Sequence, residues 1–378
     1  MRDVAVVGAG PVGLVLAALL AKDGLDVQVL ERRDAAGAGT RAIGVHAPVL
    51  AALEPSGITD DLLQDAVRVG RGEARSAGRT LGVVRFDRLS TRFPFVATLP
   101  QAATERVLAA HAPAPRRAAA VTAVHARDDR AEVRFDASAG TDSLDARVVV
   151  VATGWSGRDL VYRRIPTHVY PDRYLMADVD TGDRPDHDVA VVDIDGTGVM
   201  ESFPLPGRRR RVVAWDSRPG DDEPAARAAR LAEAVARRGD RVAAEAVTAA
   251  SSFGVRRVVA PALRRGRVFT IGDVAHEVSP IGGQGMNLGL LDAATLAPLL
   301  TRWIRSGTAP DEELRRWERR RVRSAGTAAR LAAVNTALGR PLSPVADAGR
   351  RLALRLALGR PIGGFFASAY AMGLDADA

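Results

Sequence analysis

The sequence predicts an α/β fold in which one α/β domain is interrupted by a mainly antiparallel β insertion and followed by C-terminal helices. Residues 1–33 contain a strand, a glycine turn, a helix and a second strand, which is one βαβ unit. Short alternating strand candidates occupy residues 162–251. From Glu312 onward the chain is rich in alanine, leucine and arginine, which predicts helices.

These observations predict three regions. A discontinuous α/β domain, to which the motifs below assign nucleotide binding, is expected from residues 1–70, 98–161 and 252–310, and an inserted β domain, assigned below to the substrate, from residues 71–97 and 162–251. The C-terminal helical region is expected at residues 311–378, packed on the surface over the nucleotide domain or at a subunit contact.

The elements of the first region follow from local signals. Asp3–Val7 is predicted as a short buried strand, Pro11–Lys22 as an apolar helix that ends at Gly24, and Asp26–Leu30 as the next strand. Further along, we expect helices at residues 47–53, 58–66 and 102–110, a hairpin at residues 120–135 and a buried β-branched strand at residues 147–152.

The inserted region is expected to be mostly sheet. Strands are predicted at residues 174–179, 189–193, 199–203 and 212–215, and a helix at residues 225–237. The four arginines Arg208–Arg211 are predicted to cap a solvated hairpin. A buried strand at Val268–Ile271, a glycine-rich turn and a helix at Asn287–Arg305 return the chain to the first domain.

Composition excludes several classes of protein. The 378 residues contain no cysteine, so any redox chemistry must belong to a bound cofactor. The net charge of +8 comes almost entirely from arginine, with Lys22 the only lysine, and no aromatic residues alternate with the arginine runs as a nucleic-acid groove requires. We therefore expect no nucleic-acid partner, although a positive field favours anionic ligands. The longest apolar stretch is broken by glycines, so a cytoplasmic protein without a membrane span is expected.

The glycine turn of the βαβ unit predicts dinucleotide binding. Gly8, Gly10 and Gly13 have the G-x-G-x-x-G spacing between a strand and a helix. Gly8 permits a tight turn, Gly10 lets the backbone approach a pyrophosphate, and Gly13 allows close packing of helix and strand. Glu31, at the end of the second strand, can accept hydrogen bonds from ribose hydroxyls.

A second segment, residues 266–287, indicates which dinucleotide is bound. Asp273 follows a buried strand and can hold polyol hydroxyls, while the Pro280–Gly285 loop and the helix starting near Asn287 can direct backbone N–H groups at negative charge. A nicotinamide-linked dehydrogenase does not need such a site, whereas the anionic reduced ring of FAD does. The sequence therefore predicts a Rossmann-type FAD-binding domain with an inserted, mainly antiparallel β substrate domain and C-terminal helices.

The motifs resemble those of class A FAD-dependent monooxygenases of the p-hydroxybenzoate hydroxylase type, in particular the subgroup that hydroxylates phenols and aromatic polyketides. The resemblance covers residues 1 to about 297 and includes Gly8–Gly13 with Glu31, and Gly272-Asp273 with the Pro280–Asn287 loop. Between these motifs the family usually has Ala-Asp-Gly, and this chain has Ala152-Thr153-Gly154. The segments Thr40–His46 and Phe93–Arg106 are similar to those where the family places an arginine and a glutamine beside FAD.

The resemblance implies a set of site residues. Pro280, Gly282 and Gly283 are expected at the reaction face of the flavin. The residues expected to bind the cofactor are Gly8, Gly10, Pro11, Val12, Gly13, Glu31, Arg32, Arg41, Gln101, Gly154, Asp273, Pro280, Gly283, Gly285, Met286 and Asn287.

The implied reaction uses NADPH or NADH, dioxygen and a small aromatic or polyketide-like substrate. NAD(P)H reduces FAD, and a flavin C4a-hydroperoxide then hydroxylates the substrate, which lies in a pocket lined in part by residues 190–216. No second glycine fingerprint is present, so the nicotinamide is expected to bind transiently. A monomer or homodimer is expected.

Two other functions stay open. Thr153 removes a carboxylate that the family keeps, which favours an FAD-dependent reductase or oxidase that inserts no oxygen. A flavoprotein without enzymatic activity, acting as a redox sensor or assembly partner, is the third interpretation. A halogenase is disfavoured because Lys22, the only lysine, lies on the cofactor-domain helix.

The histidines and aromatic residues have alternative interpretations. His276 is either a general base or a residue that shapes the turn beneath FAD. The other histidines lack metal-ligand spacing, so no metal site is predicted. Phe93 and Phe95 are expected either in the core or at the substrate.

Overall fold

The computed structural model describes residues 1–37, 42–138, 140–218, 220, 223–359 and 363–377. Within these residues the strands, in chain order, are β1 (Arg2–Val7), β2 (Val27–Leu30), β3 (Gly44–Val45), β4 (Val67–Val69), β5 (Arg71–Ser76), β6 (Arg79–Arg85), β7 (Val96–Thr98), β8 (Ala120–Ala126), β9 (Ala131–Ala137), β10 (Gly140–Val151), β11 (Thr167–Asp180), β12 (Val189–Asp195), β13 (Gly198–Leu205), β14 (Arg209–Trp215), β15 (Ser251–Val259), β16 (Arg264–Arg265), β17 (Val268–Thr270) and β18 (His276–Glu277).

The helices of the same residues are α1 (Pro11–Lys22), α2 (Ala47–Leu53), α3 (Ile58–Asp65), α4 (Gln101–His111), α5 (Pro224–Arg237), α6 (Arg241–Glu245), α7 (Gly285–Ser306), α8 (Asp311–Leu338), α9 (Pro344–Leu358) and α10 (Gly363–Tyr370). Among the described helices, none has the length and the apolar character that crossing a lipid bilayer requires.

The first sheet has a parallel centre built from the predicted βαβ unit. Its strand order is β16-β17-β10-β1-β2, and β1 pairs in parallel with both β2 and β10. Val148, Val149, Val150 and Val151 are fully buried because helices and strands cover both faces of β10. The β8–β9 hairpin pairs antiparallel with the first half of β10. This arrangement confirms the predicted α/β fold.

The second sheet is larger and mostly antiparallel. Its order is β18-β15-β11-β14-β13-β12-β5-β6, with only β12 and β5 parallel among these pairs. Side chains alternate between its faces: Met200 and Val212 pack with Leu231 of α5, while Met176 and Val213 face the opposite way. We call this opposite side the cavity face.

The start of the returning segment differs from the sequence prediction. Residues 252–310 were expected in the nucleotide domain, but β15 pairs with β11, and β18 pairs with β15, in the second sheet. The β15 strand alternates like its neighbours and places Val255 on the cavity face. The chain therefore returns to the first sheet only at β16 and β17.

The prediction that Arg208–Arg211 cap a solvated hairpin is wrong for two of these four arginines. Arg208 and Arg209 are exposed at the turn, but Arg210 and Arg211 are 1% and 2% exposed because β14 lies between β13 and β11. Arg210 donates to the Ser202 hydroxyl at 2.7 Å and to three backbone carbonyls, and burial lowers its pKa to about 10.

The C-terminal helices connect the two sheets. Helix α8 packs against α7 of the first domain and against β15, and α9 and α10 pack against β6. The contact is close at Gly82, where an added Cβ would lie 2.4 Å from Cβ of Leu358. The helices therefore cover an end of the second sheet as well as the nucleotide domain.

Leu231→Ala tests the packing of α5 on the back of the second sheet. Leu231 is fully buried, so the substitution should lower the free energy of unfolding by about 2–5 kcal/mol, as measured by urea titration. The matched control is Leu356→Ala, at a side chain that is 69% exposed, and it should change that energy by less than about 0.5 kcal/mol. Equal effects of the two substitutions would contradict this packing.

Candidate cofactor and substrate site

A cavity of about 1060 Å³ lies between the two sheets. The first sheet contributes the glycine turn and the ends of its parallel strands, the second contributes its cavity face, and α8 to α10 contribute apolar side chains. This volume is at the upper end of ordinary ligand sites, about 300–1000 Å³, so a dinucleotide and a second molecule can share it.

The cavity brings together most of the residues that the sequence nominates. Those lining it are Gly8, Gly10, Pro11, Val12, Glu31, Arg32, Gln101, Gly154, Asp273, Pro280, Gly282, Gly283, Gly285 and Met286. Gly13 and Asn287 lie behind its wall. Arg41 is outside the described residues.

The three glycines of the first turn have different structural requirements. Gly8 has φ +110°, and a Cβ there would lie 2.6 Å from the Ala152 carbonyl oxygen. A Cβ on Gly13 would lie 2.0 Å from the Gly8 oxygen, which explains the glycine where α1 crosses the turn. At Gly10 a Cβ would meet nothing within 4 Å, and the residue faces the cavity. This open cradle at the N-terminus of α1 fits a pyrophosphate.

Glu31 ends β2 at the cavity wall. Its Oε2 accepts a hydrogen bond from the backbone N–H of Ala9 at 2.8 Å, and its Oε1 accepts one from Nε of Arg33 at 3.0 Å. Burial acts to raise the Glu31 pKa, but the hydrogen bonds from Arg33 and Ala9 outweigh it and hold the pKa below its usual value. The ionised carboxylate is suited to accept hydrogen bonds from ribose hydroxyls.

Gln101 begins α4 at the same wall. Its Oε1 accepts from the backbone N–H of Ala42 at 3.3 Å, and its Nε2 donates to Glu105 at 2.9 Å. Phe93 and Phe95, from the preceding segment, pack against the main core and do not line the cavity. Their core interpretation is therefore the one that the geometry favours.

The loop before α7 forms the opposite side of the cofactor region. Gly282 and Gly283 have φ +101° and +68°, conformations that side chains rarely adopt. Helix α7 begins at Gly285 without a side-chain cap on its first turn. Gly285 and Met286 line the cavity, so the positive end of the helix dipole lies at its wall, where it can stabilise an anionic flavin ring.

Asn287 holds this loop in place without reaching the cavity. Its Nδ2 donates to the carbonyls of Gly44 at 2.8 Å and Gly283 at 3.1 Å, and its Oδ1 accepts from the His46 N–H at 2.9 Å. His46 lines the cavity beside Gly283, and burial lowers its pKa to about 4, so it is neutral at physiological pH.

A buried ion network supports the loop from behind. The carboxylate of Asp292 accepts from the Gly272 N–H at 3.0 Å, pairs with Nε2 of His276 at 2.6 Å and accepts from Nε of Arg321 at 2.7 Å. Arg321 in turn pairs with Asp375 at 2.7 Å. Sequence reasoning did not identify Asp292 or Arg321, because their spacing along the chain carries no local signal.

The ion network decides between the two interpretations of His276. Burial would lower the pKa of His276, but the Asp292 carboxylate outweighs burial and raises it. His276 is fully buried and does not line the cavity, so it cannot reach a substrate proton. It shapes the turn that carries Asp273.

Thr153 faces the cavity at the end of β10. Gly157 leaves room for it, because a Cβ there would lie 2.1 Å from Oγ1 of Thr153. One turn further on, Arg158 donates to the Asp273 carbonyl at 2.7 Å and to the Glu277 carboxylate at 2.8 Å. The middle motif is thereby tied to the Asp273 turn even though its usual carboxylate is replaced.

The remaining part of the cavity is lined by the second sheet and the C-terminal helices. Apolar walls come from Met176, Val192, Phe203, Val213, Phe253, Leu354 and Leu358. On α8 and α10, Asn335 and Tyr370 are joined by a hydrogen bond from the phenol to Oδ1 at 3.2 Å. A Cβ on Gly282 would lie 3.0 Å from Nδ2 of Asn335, so this pair adjoins the loop. The sequence predicted helices in this region, but they contain no motif, so Asn335 and Tyr370 were not identified as site residues.

Comparison with known proteins identifies the cofactor region. A sequence family described as an FAD binding domain matches residues 1–332. The chain belongs to this family. Its cofactor fits the cavity, because Gly10 leaves an open cradle for the pyrophosphate and Glu31 an ionised acceptor for ribose.

Two curated relatives are named as monooxygenases. The chain is 33% identical over 362 residues to 6-methylpretetramide 4-monooxygenase of Streptomyces rimosus, covering 91% of this chain and 64% of that protein. It is 32% identical over 325 residues to rifampicin monooxygenase of Rhodococcus hoagii, covering 82% and 66%. It thus spans about two thirds of the length of these curated relatives.

A solved structure matches over nearly the whole chain. The crystal structure of p-nitrophenol 4-monooxygenase PnpA from Pseudomonas putida DLL-E4 has a TM-score of 0.89 at 25% identity, covering 98% of both chains. Together with the sequence relatives, this match confirms the resemblance to FAD-dependent aromatic monooxygenases.

Gly10→Val tests the pyrophosphate cradle. The backbone of Gly10 has φ −80°, so the variant should fold, but its side chain would occupy the open space and weaken FAD binding at least about 100-fold in a fluorescence titration of apoprotein. The control is Gly349→Val, an exposed helical position where a Cβ also meets nothing within 4 Å. Unchanged FAD affinity in the Gly10 variant would disprove this role.

Glu201→Gln tests a buried carboxyl on the cavity face. Burial raises the Glu201 pKa to about 8, so the folded state holds this proton more tightly than the unfolded state. The protonated carboxyl group therefore contributes less to the wild-type free energy of unfolding as pH rises from about 4.5 through about 8. The variant has no titrating group at this position and does not lose stability in this way. In urea titrations the variant should gain about 2–4 kcal/mol relative to wild type over that window.

Glu73→Gln serves as the matched control for this measurement. It removes a carboxylate of the same sheet that pairs with Arg75 at 2.7 Å. It should not raise the free energy of unfolding as Glu201→Gln does, because it removes one partner of an ion pair rather than a carboxyl group without a partner. If the stability difference between Glu201→Gln and wild type did not change with pH, the Glu201 carboxyl group would not be buried in its neutral form.

Proposed function

We propose that the protein is an FAD-dependent monooxygenase that uses NADPH or NADH and dioxygen to hydroxylate a phenolic or polyketide-like aromatic compound. The observation that carries the proposal is a single cavity in which the Pro280–Gly283 loop meets an apolar sheet face. The names of the 6-methylpretetramide, rifampicin and para-nitrophenol monooxygenases support the activity and an aromatic substrate.

Bound FAD would supply the two-electron redox chemistry and the activation of dioxygen. Gly10 and the first turn of α1 would hold its pyrophosphate, and Glu31 its ribose. The N-terminus of α7 would stabilise negative charge on the ring. The nominated residues Pro280, Gly282 and Gly283 would form the surface against which the ring and the substrate meet.

The cavity face would bind and shield the substrate. Met176, Val192, Phe203 and Val213 provide an apolar wall that would exclude water, limit side reactions with water during turnover and favour a flat aromatic ring. The described residues form one dinucleotide-type glycine turn, so the nicotinamide would bind transiently at the cavity mouth. The positive net charge of +8 favours approach of this anionic reductant.

Turnover under labelled dioxygen tests the proposal. The FAD-loaded protein should oxidise NADPH or NADH faster in the presence of phenols or aromatic polyketides, and mass spectrometry should find one labelled oxygen atom in the product. A substrate oxidised or reduced without label would establish the reductase or oxidase instead. The absence of both nicotinamide oxidation and product with every compound would contradict an enzymatic role.

A further inference from the structure

Glu201 stands out in the substrate part of the cavity. It lies on β13, lines the cavity and is only 6% exposed. Its cross-strand neighbours are Val192 on β12 and Val213 on β14, and its neighbours along the same face of β13 are Val199 and Phe203. A carboxyl group in the middle of this apolar wall has no structural use there, and its burial opposes folding whenever it is ionised.

Among the described residues, no donor forms a hydrogen bond or ion pair with the Glu201 carboxyl. Arg211, on the same face of the sheet, is bound to Asp178 at 2.6 Å. The groups that act electrostatically with Glu201 are the phenols of Tyr174 on β11 and Tyr370 on α10, and burial raises the pKa of each of these phenols before Glu201 raises it further. Within the part of the chain that the structure describes, none of these groups supplies a positive charge to Glu201, which leaves the carboxyl group available to a partner on the bound ligand.

The position of Glu201 places it close to the reaction surface. The charge of Glu201 contributes to raising the pKa of Tyr370, after burial. The Tyr370 hydroxyl donates to Asn335, and its ring lies 3.9 Å from a Cβ built on Gly282. Ile281 of the same loop packs in one cluster with Met176, Val199 and Val213, the side chains around Glu201. A ring held between the loop and the sheet would therefore have Glu201 at its edge.

We propose that Glu201 accepts the hydrogen bond of a phenolic hydroxyl on the substrate and removes its proton during the reaction. The inference rests on the proposed function and names the substrate class as a phenol with a free hydroxyl. In this step the O–H bond of the phenol breaks and an O–H bond to a Glu201 Oε forms. The electron pair stays on the phenolic oxygen, and no oxidation occurs.

The chemistry of the two groups is matched. A phenolate donates electron density into its ring, which makes the ring carbon a better acceptor of electrophilic oxygen. The Glu201 pKa of about 8 lies closer to the value of an ordinary phenol, about 10, than that of a solvated carboxyl group does. A base tuned toward its substrate transfers protons more effectively at neutral pH. The apolar wall produces this tuning because it disfavours the ionised carboxylate.

Binding of a phenol and its methyl ether tests recognition. The probes are 2-naphthol and 2-methoxynaphthalene, titrated into the FAD-loaded protein and followed by flavin difference spectra. Wild type should prefer the naphthol at least about tenfold at about pH 8.5 and less at about pH 6.5, because the ionised carboxylate makes the stronger hydrogen bond. Glu201→Gln should show a smaller preference that does not change with pH.

The pH profile of turnover tests the proton transfer. With 2-naphthol, wild-type kcat/KM should rise as pH passes about 8, which is the Glu201 value in the free enzyme. The rise should be absent in Glu201→Gln and present in Glu201→Asp and in the control Glu233→Gln, an exposed position on α5 outside the cavity lining. A Glu201→Gln variant that keeps both the naphthol preference and the wild-type rise would overturn the inference.

The two proposals fail separately. If the wild type hydroxylates phenols but Glu201→Gln has the same naphthol preference and the same pH profile as wild type, only the role of Glu201 is wrong. If no phenol is hydroxylated, the proposed function is wrong. The pH dependence of the naphthol preference still decides whether Glu201 recognises a hydroxyl group, and equal wild-type binding of naphthol and its ether at both pH values would overturn that recognition.

Discussion

The buried carboxylate of Asp292 is the contact on which the cofactor side of the structure depends. It joins the Gly272 backbone, His276 and Arg321, which come from the end of the parallel sheet, the following turn and α8. Removal of one partner from such a buried pair commonly costs about 3–5 kcal/mol, because a charge is left uncompensated. The network therefore fixes the Asp273 turn and α7 to a C-terminal helix, and through them the position of the loop that faces the flavin.

The sequence predicted the cofactor half of the site because its signals are local. Each of the three glycines is explained within one turn. Gly8 has a positive φ, Gly10 faces open space, and a Cβ on Gly13 would lie 2.0 Å from the Gly8 oxygen. The glycines of the Pro280–Gly285 loop similarly follow from backbone conformation. The α/β fold was predictable for the same reason. The continuous apolar, β-branched run within residues 147–152 is typical of a parallel strand that is buried on both faces.

The substrate half could not be predicted, because it is assembled from distant segments. Asn335 and Tyr370 lie on helices without a motif, and only the packing of α8 and α10 brings them to Gly282. Glu201 is one acidic residue in a strand, and the exclusion of water by its neighbours is a property of the whole sheet. Arg210 was expected in solvent because the sequence does not show that β14 is a central strand. Charge alone therefore predicted the wrong environment for it.

The C-terminal helices have a consequence for the order of biosynthesis. A nascent chain that has emerged through α7 already contains the glycine turn, Glu31 and the Pro280–Gly285 loop, while the helices that carry Asn335 and Tyr370 are still to be synthesised. N-terminal units generally fold first during translation. The glycine turn and Glu31 can thus fold before α8 supplies Arg321 to the Asp292 network and before Asn335 and Tyr370 complete the substrate part of the cavity. Folding of the first glycine turn is therefore separated along the chain from completion of the Asp273 turn and of the substrate part of the cavity.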